Sequence, residues 1–167
     1  MHGGSVQAAS AGAGRGSTFT VRLARIAPPA ASPAPVREPV VAPRRVLVVE
    51  DNANAREVLV TALTLDGHEV HDAHDGHAGL EAALRLVPDV ALIDVGLPGL
   101  NGYEIAERIR ASGRGAGMLL VALTGYGHAE DRRRALAAGF DIHLVKPVAP
   151  ERMTEVLSGA RAATRRS

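Results

Sequence analysis

From Arg45 onward the chain alternates short apolar runs with amphipathic stretches, five times in succession. "RVLVV" (45–49), "DVALI" (89–93) and "MLLVAL" (118–123) are nearly unbroken apolar runs, the pattern of strands covered on both faces. "EVHDA" (69–73) and "DIHLV" (141–145) read as more polar strands. The first intervening helix is expected over 53–66, with Ala55, Val58, Leu59, Ala62 and Leu65 on its inner face and Gly67 as its stop. "HAGLEAALRL" is a helix ended by Pro88, "GYEIAERIRA" one closed by Gly113, and "AEDRRRALAA" one ending at Gly139. After Pro147 and Pro150 a last helix runs to about Ala163, with Met153, Val156, Leu157 and Ala160 at helical spacing. Strict alternation predicts a doubly wound α/β domain over 45–163, a five-stranded parallel sheet with helices on both faces, followed by a tail at 164–167.

In open sheets of this kind ligands collect beyond the carboxyl ends of the strands. Glu50 and Asp51 follow the first strand, Asp94 the third, Thr124 the fourth and Lys146 the fifth. Three carboxylates, one hydroxyl and one ammonium therefore converge on one edge. Three neighbouring acids repel one another and call for a cation. Oxygen donors without His or Cys suit Mg²⁺, with Mn²⁺ as a substitute. A Mg²⁺ held by few carboxylates keeps positions open for phosphoryl oxygens, whose remaining charge suits the hydroxyl and the ammonium. Lys146 is the single Lys beside eighteen Arg in the chain. At this one position the chain carries a compact point charge in place of a planar fork.

Composition excludes other classes. The chain has no Cys, which removes thiolate catalysis, disulfides and Cys-ligated zinc. Aromatic residues are 2% of the chain and the net charge is +1, so neither stacking platforms nor a basic surface argue for nucleic acid, and no nucleic-acid partner is expected. No apolar run reaches the length of a membrane span and no signal-peptide core opens the chain. The expectation is a cytoplasmic chain without membrane contact.

"VVEDN", "LIDVGLPGLNG", "ALTGYG" and "LVKP", in this order and spacing, closely resemble the receiver domain of two-component response regulators over 45–163. The resemblance implies a flavodoxin-like fold of strand order 2-1-3-4-5. It implies Asp94 as phospho-acceptor, taking a phosphoryl group from a phosphohistidine. Glu50, Asp51 and Asp94 would hold Mg²⁺ with the backbone carbonyl of Gly96. Thr124 would hydrogen-bond the phosphoryl group and Lys146 pair with it, and the Lys146–Pro147 bond would be cis. Asn101–Gly102 stands where the family often has Asp-Gly, a change expected to alter only a loop. The position three before the lysine, usually Tyr or Phe in the family, is His143: either an imidazole carries the switch with Thr124, or this is a surface residue at a strand end. Tyr126, beside Thr124, is a candidate gate for water.

His68, His71, His74 and His77 recur every third residue, but on strand and turn such spacing points them to opposite faces, against a metal site. Arg132–Arg134 reads as a wet helix face, with phosphate sensing or docking as the alternative.

Residues 1–26 hold strand-like pieces around Ser5–Ala8 and Ser17–Ile26, joined by Gly, Ala and Ser as in a hairpin. Residues 27–44 carry six prolines and read as a semi-extended linker. "HGGSV" followed by "SAGAGRGSTFTVRL" resembles the end of the ATP-binding domain of sensor histidine kinases, so the chain is similar to the C-terminal part of a hybrid histidine kinase. That implies a kinase core in cis, a histidine phosphotransfer domain or effector downstream, and no kinase activity in this fragment beyond self-phosphotransfer and autodephosphorylation. The alternatives are a stand-alone single-domain response regulator and, more distantly, a Mg²⁺-dependent phosphohydrolase with an Asp nucleophile. The phosphohydrolase would want Asp-x-Asp after the first strand. A pure interaction domain is a further reading, opposed by the complete acidic set. No DNA-binding effector is expected after residue 163.

Overall fold

The computed structural model describes residues 5–12, 14–22, 42–125 and 128–163, the last four of these as backbone only. The linker stretch 27–41, Leu23, Ile26, Tyr126, the side chain of Ala160 and the tail 164–167 lie outside the described residues. The chain divides into two compact units, residues 1–39 and 40–167.

In the first unit, β1 (Ser5–Ser10) and β2 (Ser17–Arg22) form an antiparallel hairpin in which Val6 faces Val21 and Ala8 faces Phe19. Every residue of both strands is exposed.

The second unit runs β3 (Arg45–Val49), α1 (Ala53–Leu65), β4 (Glu69–Ala73), α2 (Gly76–Leu86), β5 (Val90–Asp94), α3 (Gly102–Ala111), β6 (Leu119–Thr124), α4 (Ala129–Ala137), β7 (Ile142–Val145) and α5 (Pro150–Ala163). The five strands are parallel in the order β4-β3-β5-β6-β7, which is the flavodoxin-like order 2-1-3-4-5. The second unit begins within the stretch read as linker. Arg44 already donates its amide to Nδ1 of His68 and accepts at its carbonyl from the Glu69 amide, so the run-in to β3 is held.

Alternation along the strands divides the core into two layers. Leu47, Val49, Ala91, Ile93, Leu120 and Ala122 pack with residues of α2, α3 and α4; Val46, Val48, Val90, Leu92, Val121 and Leu123 pack with residues of α1 and α5. Met153, Val156 and Leu157 are the buried side of α5, at the spacing the sequence predicts. Gly67, Gly113 and Gly139 follow helices with φ of +85°, +72° and +100°, conformations that suit a residue without Cβ.

The expected inner face of α1 is corrected. Leu63 is its buried residue, with Leu59 and Val60 packed against the same layer, whereas Val58 is 68% and Leu65 83% exposed. The helix carries two overlapping apolar stripes, and the layer it shares with α5 selects Leu59, Val60 and Leu63. Periodicity alone cannot rank two stripes of similar width.

Candidate phosphoryl-acceptor site

The strand order brings the ends of β3, β5, β6 and β7 side by side on one edge of the sheet. Ladder bonds continue one residue past the strands and fix the backbone of the site. The Glu50 amide donates to the carbonyl of Ala73 at 3.1 Å, Val95 to Leu123 at 3.0 Å and Lys146 to Thr124 at 2.7 Å.

Glu50, Asp94 and Thr124 are buried polar residues at the ends of strands whose other buried residues are apolar. Burial of a carboxylate demands compensation, and each has it. Glu50 Oε1 accepts from the Asn52 amide at 3.3 Å, and its Oε2 takes Lys146 Nζ at 2.5 Å. Asp94 Oδ1 accepts from the Gly96 amide at 3.0 Å, and its Oδ2 lies 2.8 Å from the same Nζ. Burial alone would lower the Lys146 pKa, but the hydrogen bonds and charges of Asp94 and Glu50 together outweigh it and hold the ammonium above its usual value.

Asp51 is exposed at the mouth, and carboxylate oxygens of Glu50, Asp51 and Asp94 all lie within 4.8 Å of one another. Formally, three negative charges face one positive charge, Lys146. An all-oxygen donor set with excess negative charge fits a hard divalent cation such as Mg²⁺. Among the described residues this is the one such cluster, and the spaced histidines are scattered: His68 is buried against Arg44, His71 pairs with Glu69 and His74 with Asp75. The Lys146–Pro147 peptide is cis.

Thr124 Oγ1 lies 2.8 Å from His143 Nε2 and donates to the Leu144 carbonyl at 3.4 Å. His143 is half-buried within β7, paired in register with Ala122 and therefore diagonal to Thr124 on the same face. Arg132–Arg134 is exposed; Arg134 lies over the Tyr103 ring at 4.3 Å and Arg133 pairs with Glu130.

Arg56 went unforeseen as a support of the site, and Asn101 and Gly102, expected to affect only a loop, form the start of α3. Arg56 of α1 donates to the Glu50 carbonyl at 2.7 Å and pairs with Asp72 at 3.0 Å, clamping the end of β3. Its signal was a cation on the helix face shared with Leu59, Val60 and Leu63. Asn101 caps α3 and completes a capping box with Glu104, so Asn in place of Asp keeps the cap. A Cβ on Gly102 would stand 2.4 Å from the Asp94 carbonyl oxygen, so only glycine lets α3 start against the acceptor strand.

Comparison with known proteins agrees with this geometry. Residues 46–158 match the response regulator receiver domain family. The two-component response regulator PhoP of Pseudomonas aeruginosa is 37% identical over 103 residues, covering 62% of this chain and 45% of that protein. The DNA-binding response regulator MtrA of Mycobacterium leprae is 34% identical over 124 residues, covering 74% and 52%. The chain spans about half the length of these two regulators. Chemotaxis protein CheY4 of Vibrio cholerae superposes with a TM-score of 0.67 at 29% identity, covering 71% of this chain and 99% of that one. No helix among the described residues is long and apolar enough to cross a membrane.

Proposed function

The chain belongs to the response regulator receiver domain family, and from that premise we propose that it accepts a phosphoryl group from a phosphohistidine onto Asp94. An Asp94 oxygen attacks phosphorus; the new O–P bond forms as the P–N bond breaks, and the departing imidazole nitrogen keeps the electron pair and takes up a proton. Lys146, already 2.8 Å from Asp94, stays to pair with the phosphoryl oxygens. Thr124 donates its hydroxyl to the same group. Glu50, Asp51, Asp94 and the Gly96 carbonyl would hold Mg²⁺, which supplies charge neutralisation for the transferred group. The observation that carries the reading is the pairing of a buried Asp at a strand end with the only Lys of the chain, beside two more carboxylates.

Incubation with acetyl phosphate and Mg²⁺ should add one acid-stable, base-labile phosphate. The same mass gain in Asp94→Asn would sink the assignment.

We read residues 1–26 as the end of a histidine kinase ATP-binding domain, 27–44 as linker and 45–163 as the receiver. The antiparallel hairpin Ser5–Arg22, whose two strands are wholly exposed, supports this reading as part of a larger sheet. On it, the phosphoryl donor is a kinase core in the same polypeptide, and the group passes on to a histidine phosphotransfer domain or effector. The full coverage of CheY4 favours a second reading, a stand-alone regulator. Reading the coding sequence upstream of Met1 separates them: kinase nucleotide-binding boxes in frame support the hybrid kinase, and their absence supports the second reading.

A further inference from the structure

We infer that Arg56 is a positioning residue for the metal centre: tied to Asp72 on β4, it holds the backbone that carries the Asp51 carboxylate among those of Glu50 and Asp94. Asp51 is exposed and forms no ion pair among the described residues. Packing therefore does not fix its side chain, and the place of its oxygen in the cluster is set by the chain that carries it. That chain, residues 50–52, lies between β3, which ends at Val49, and α1, which starts at Ala53. The helical ladder begins with the Arg56 amide donating to the Asn52 carbonyl at 2.9 Å, which leaves the carbonyls of Glu50 and Asp51 outside it. Nη1 of Arg56 donates to both, at 2.7 Å and 3.5 Å.

The guanidinium is itself aimed from a neighbouring strand. Its Nε donates to Asp72 Oδ2 at 3.0 Å, and Asp72 is paired in register with Val48, two residues before Glu50. Because the guanidinium is planar and rigid, a bond at Nε also sets the direction of Nη1. Within the turn, the Asn52 amide donates to Glu50 Oε1 at 3.3 Å and the Asn52 side chain accepts from the Ala55 amide. Those bonds shape the turn, and Arg56 ties it to β4.

This inference rests on the reading of the three carboxylates as a Mg²⁺ site, and two measurements keep the two apart. The first is Mg²⁺ affinity by titration calorimetry, where two roles for Arg56 give opposite signs. Acting only through its charge, Arg56 would repel a cation, so Arg56→Gln would bind Mg²⁺ more tightly and Arg56→Lys as the wild type does. Acting as an anchor, it is lost in both variants. Arg56→Gln should then weaken binding about tenfold, the scale for a residue that orients a metal ligand. Arg56→Lys, with one nitrogen where the guanidinium has a fork, should weaken it too. Asp72→Asn should weaken binding by itself and have no further effect in Arg56→Gln, because it acts through the guanidinium. Tighter or unchanged binding in Arg56→Gln, wild-type binding in Arg56→Lys, or an undiminished Asp72→Asn effect without Arg56 overturns the inference. The second measurement needs no metal. Hydrogen exchange at the Asn52 amide should quicken about five-fold in Arg56→Gln and in Asp72→Asn, the scale of one hydrogen bond, while amides of β5 and β6 keep their wild-type rates. Should Arg56→Gln loosen β5 and β6 as well, the Asn52 amide of Asp72→Asn decides, and an unchanged rate there overturns the inference. A wild type that binds no Mg²⁺ overturns the metal reading and leaves the Asn52 amide to decide the positioning.

Discussion

The Lys146 ammonium lies 2.8 Å from Oδ2 of Asp94, so the proposed acceptor is paired with a cation before any phosphoryl group arrives. The same ammonium also holds Glu50, which is 1% exposed. One residue therefore serves both fold and chemistry. Lys146→Met leaves a buried carboxylate without its partner and should cost about 3 kcal/mol, toward the low end for a broken buried pair because Lys146 is partly exposed. Mg²⁺ should raise the Tm of this variant more than that of the wild type, since the metal would then be the sole cation among three carboxylates. Calorimetry with and without Mg²⁺ checks both. Because the folded pKa of Lys146 is raised, its contribution is complete below the unfolded lysine pKa and is lost as pH rises through the folded value.

Metal binding has its own test. Asp51 is exposed and forms no ion pair among the described residues, so Asp51→Asn should leave the fold intact. It should weaken Mg²⁺ binding at least about tenfold, and binding by the wild type should weaken as pH falls and carboxylates take up protons. Titration calorimetry reads both, and unchanged affinity in Asp51→Asn would move the metal elsewhere.

His68 gives the fold an acid limit. Burial, the largest influence, holds its pKa below the usual histidine value, the Asp66 carboxylate opposing and Arg44 adding to the effect. The unfolded chain therefore binds the proton more readily. The stability contributed by neutral His68 is present above the unfolded pKa and lost as pH falls through it toward the folded value. Urea denaturation at about pH 7.5 and about pH 5.5 should show a smaller loss on acidification in His68→Gln than in the wild type. An equal loss would place the acid sensitivity in other groups.

Gly102 ties the site to helix α3. A Cβ there would stand 2.4 Å from the Asp94 carbonyl oxygen and 2.7 Å from the Val95 Cα, both backbone atoms that cannot rotate away. Gly102→Ala should destabilise the protein by roughly 1–3 kcal/mol, the range for overpacking, and should slow phosphate uptake by shifting the end of β5. Chemical denaturation and the acetyl phosphate assay check the two effects.

The sheet was legible because its strands are apolar runs in strict alternation with helices, a pattern that admits few topologies. Glu50, Asp51, Asp94, Thr124 and Lys146 could be placed on one edge from that alternation alone, since all lie at or just past the carboxyl ends of strands. What periodicity could not reach was any choice made by tertiary contact. The inner face of α1 fell to Leu59, Val60 and Leu63 because of the layer shared with α5. The diagonal contact between Thr124 and His143 depends on the β6–β7 register, which the sequence does not print. Arg56 reaches the Glu50 carbonyl across a helix start, and Gly102 is required by a backbone approach. In each case the cause lies between elements.

The hairpin of β1 and β2 poses the last test. Val6, Phe19 and Val21 are 70%, 71% and 60% exposed, and both strands are solvent-exposed throughout. A lone two-stranded hairpin buries too little apolar surface to offset the entropy of ordering its chain. Backbone amides of residues 5–22 should therefore exchange within seconds in the dilute protein, while those of β3, β5 and β6 exchange only on the scale of global unfolding. Because both hairpin strands are exposed, removal of residues 1–39 should change the unfolding free energy of the remainder by less than about 0.5 kcal/mol. Among the described residues the hairpin forms a sheet of two strands only, so its outer edges and apolar stripe also offer a template for another strand. At high protein concentration, protection should then appear first at Val6, Phe19 and Val21, and Phe19→Ser should abolish it. Protection of the hairpin at low concentration would instead mean that it is held by its own chain, and removing it would then destabilise the receiver.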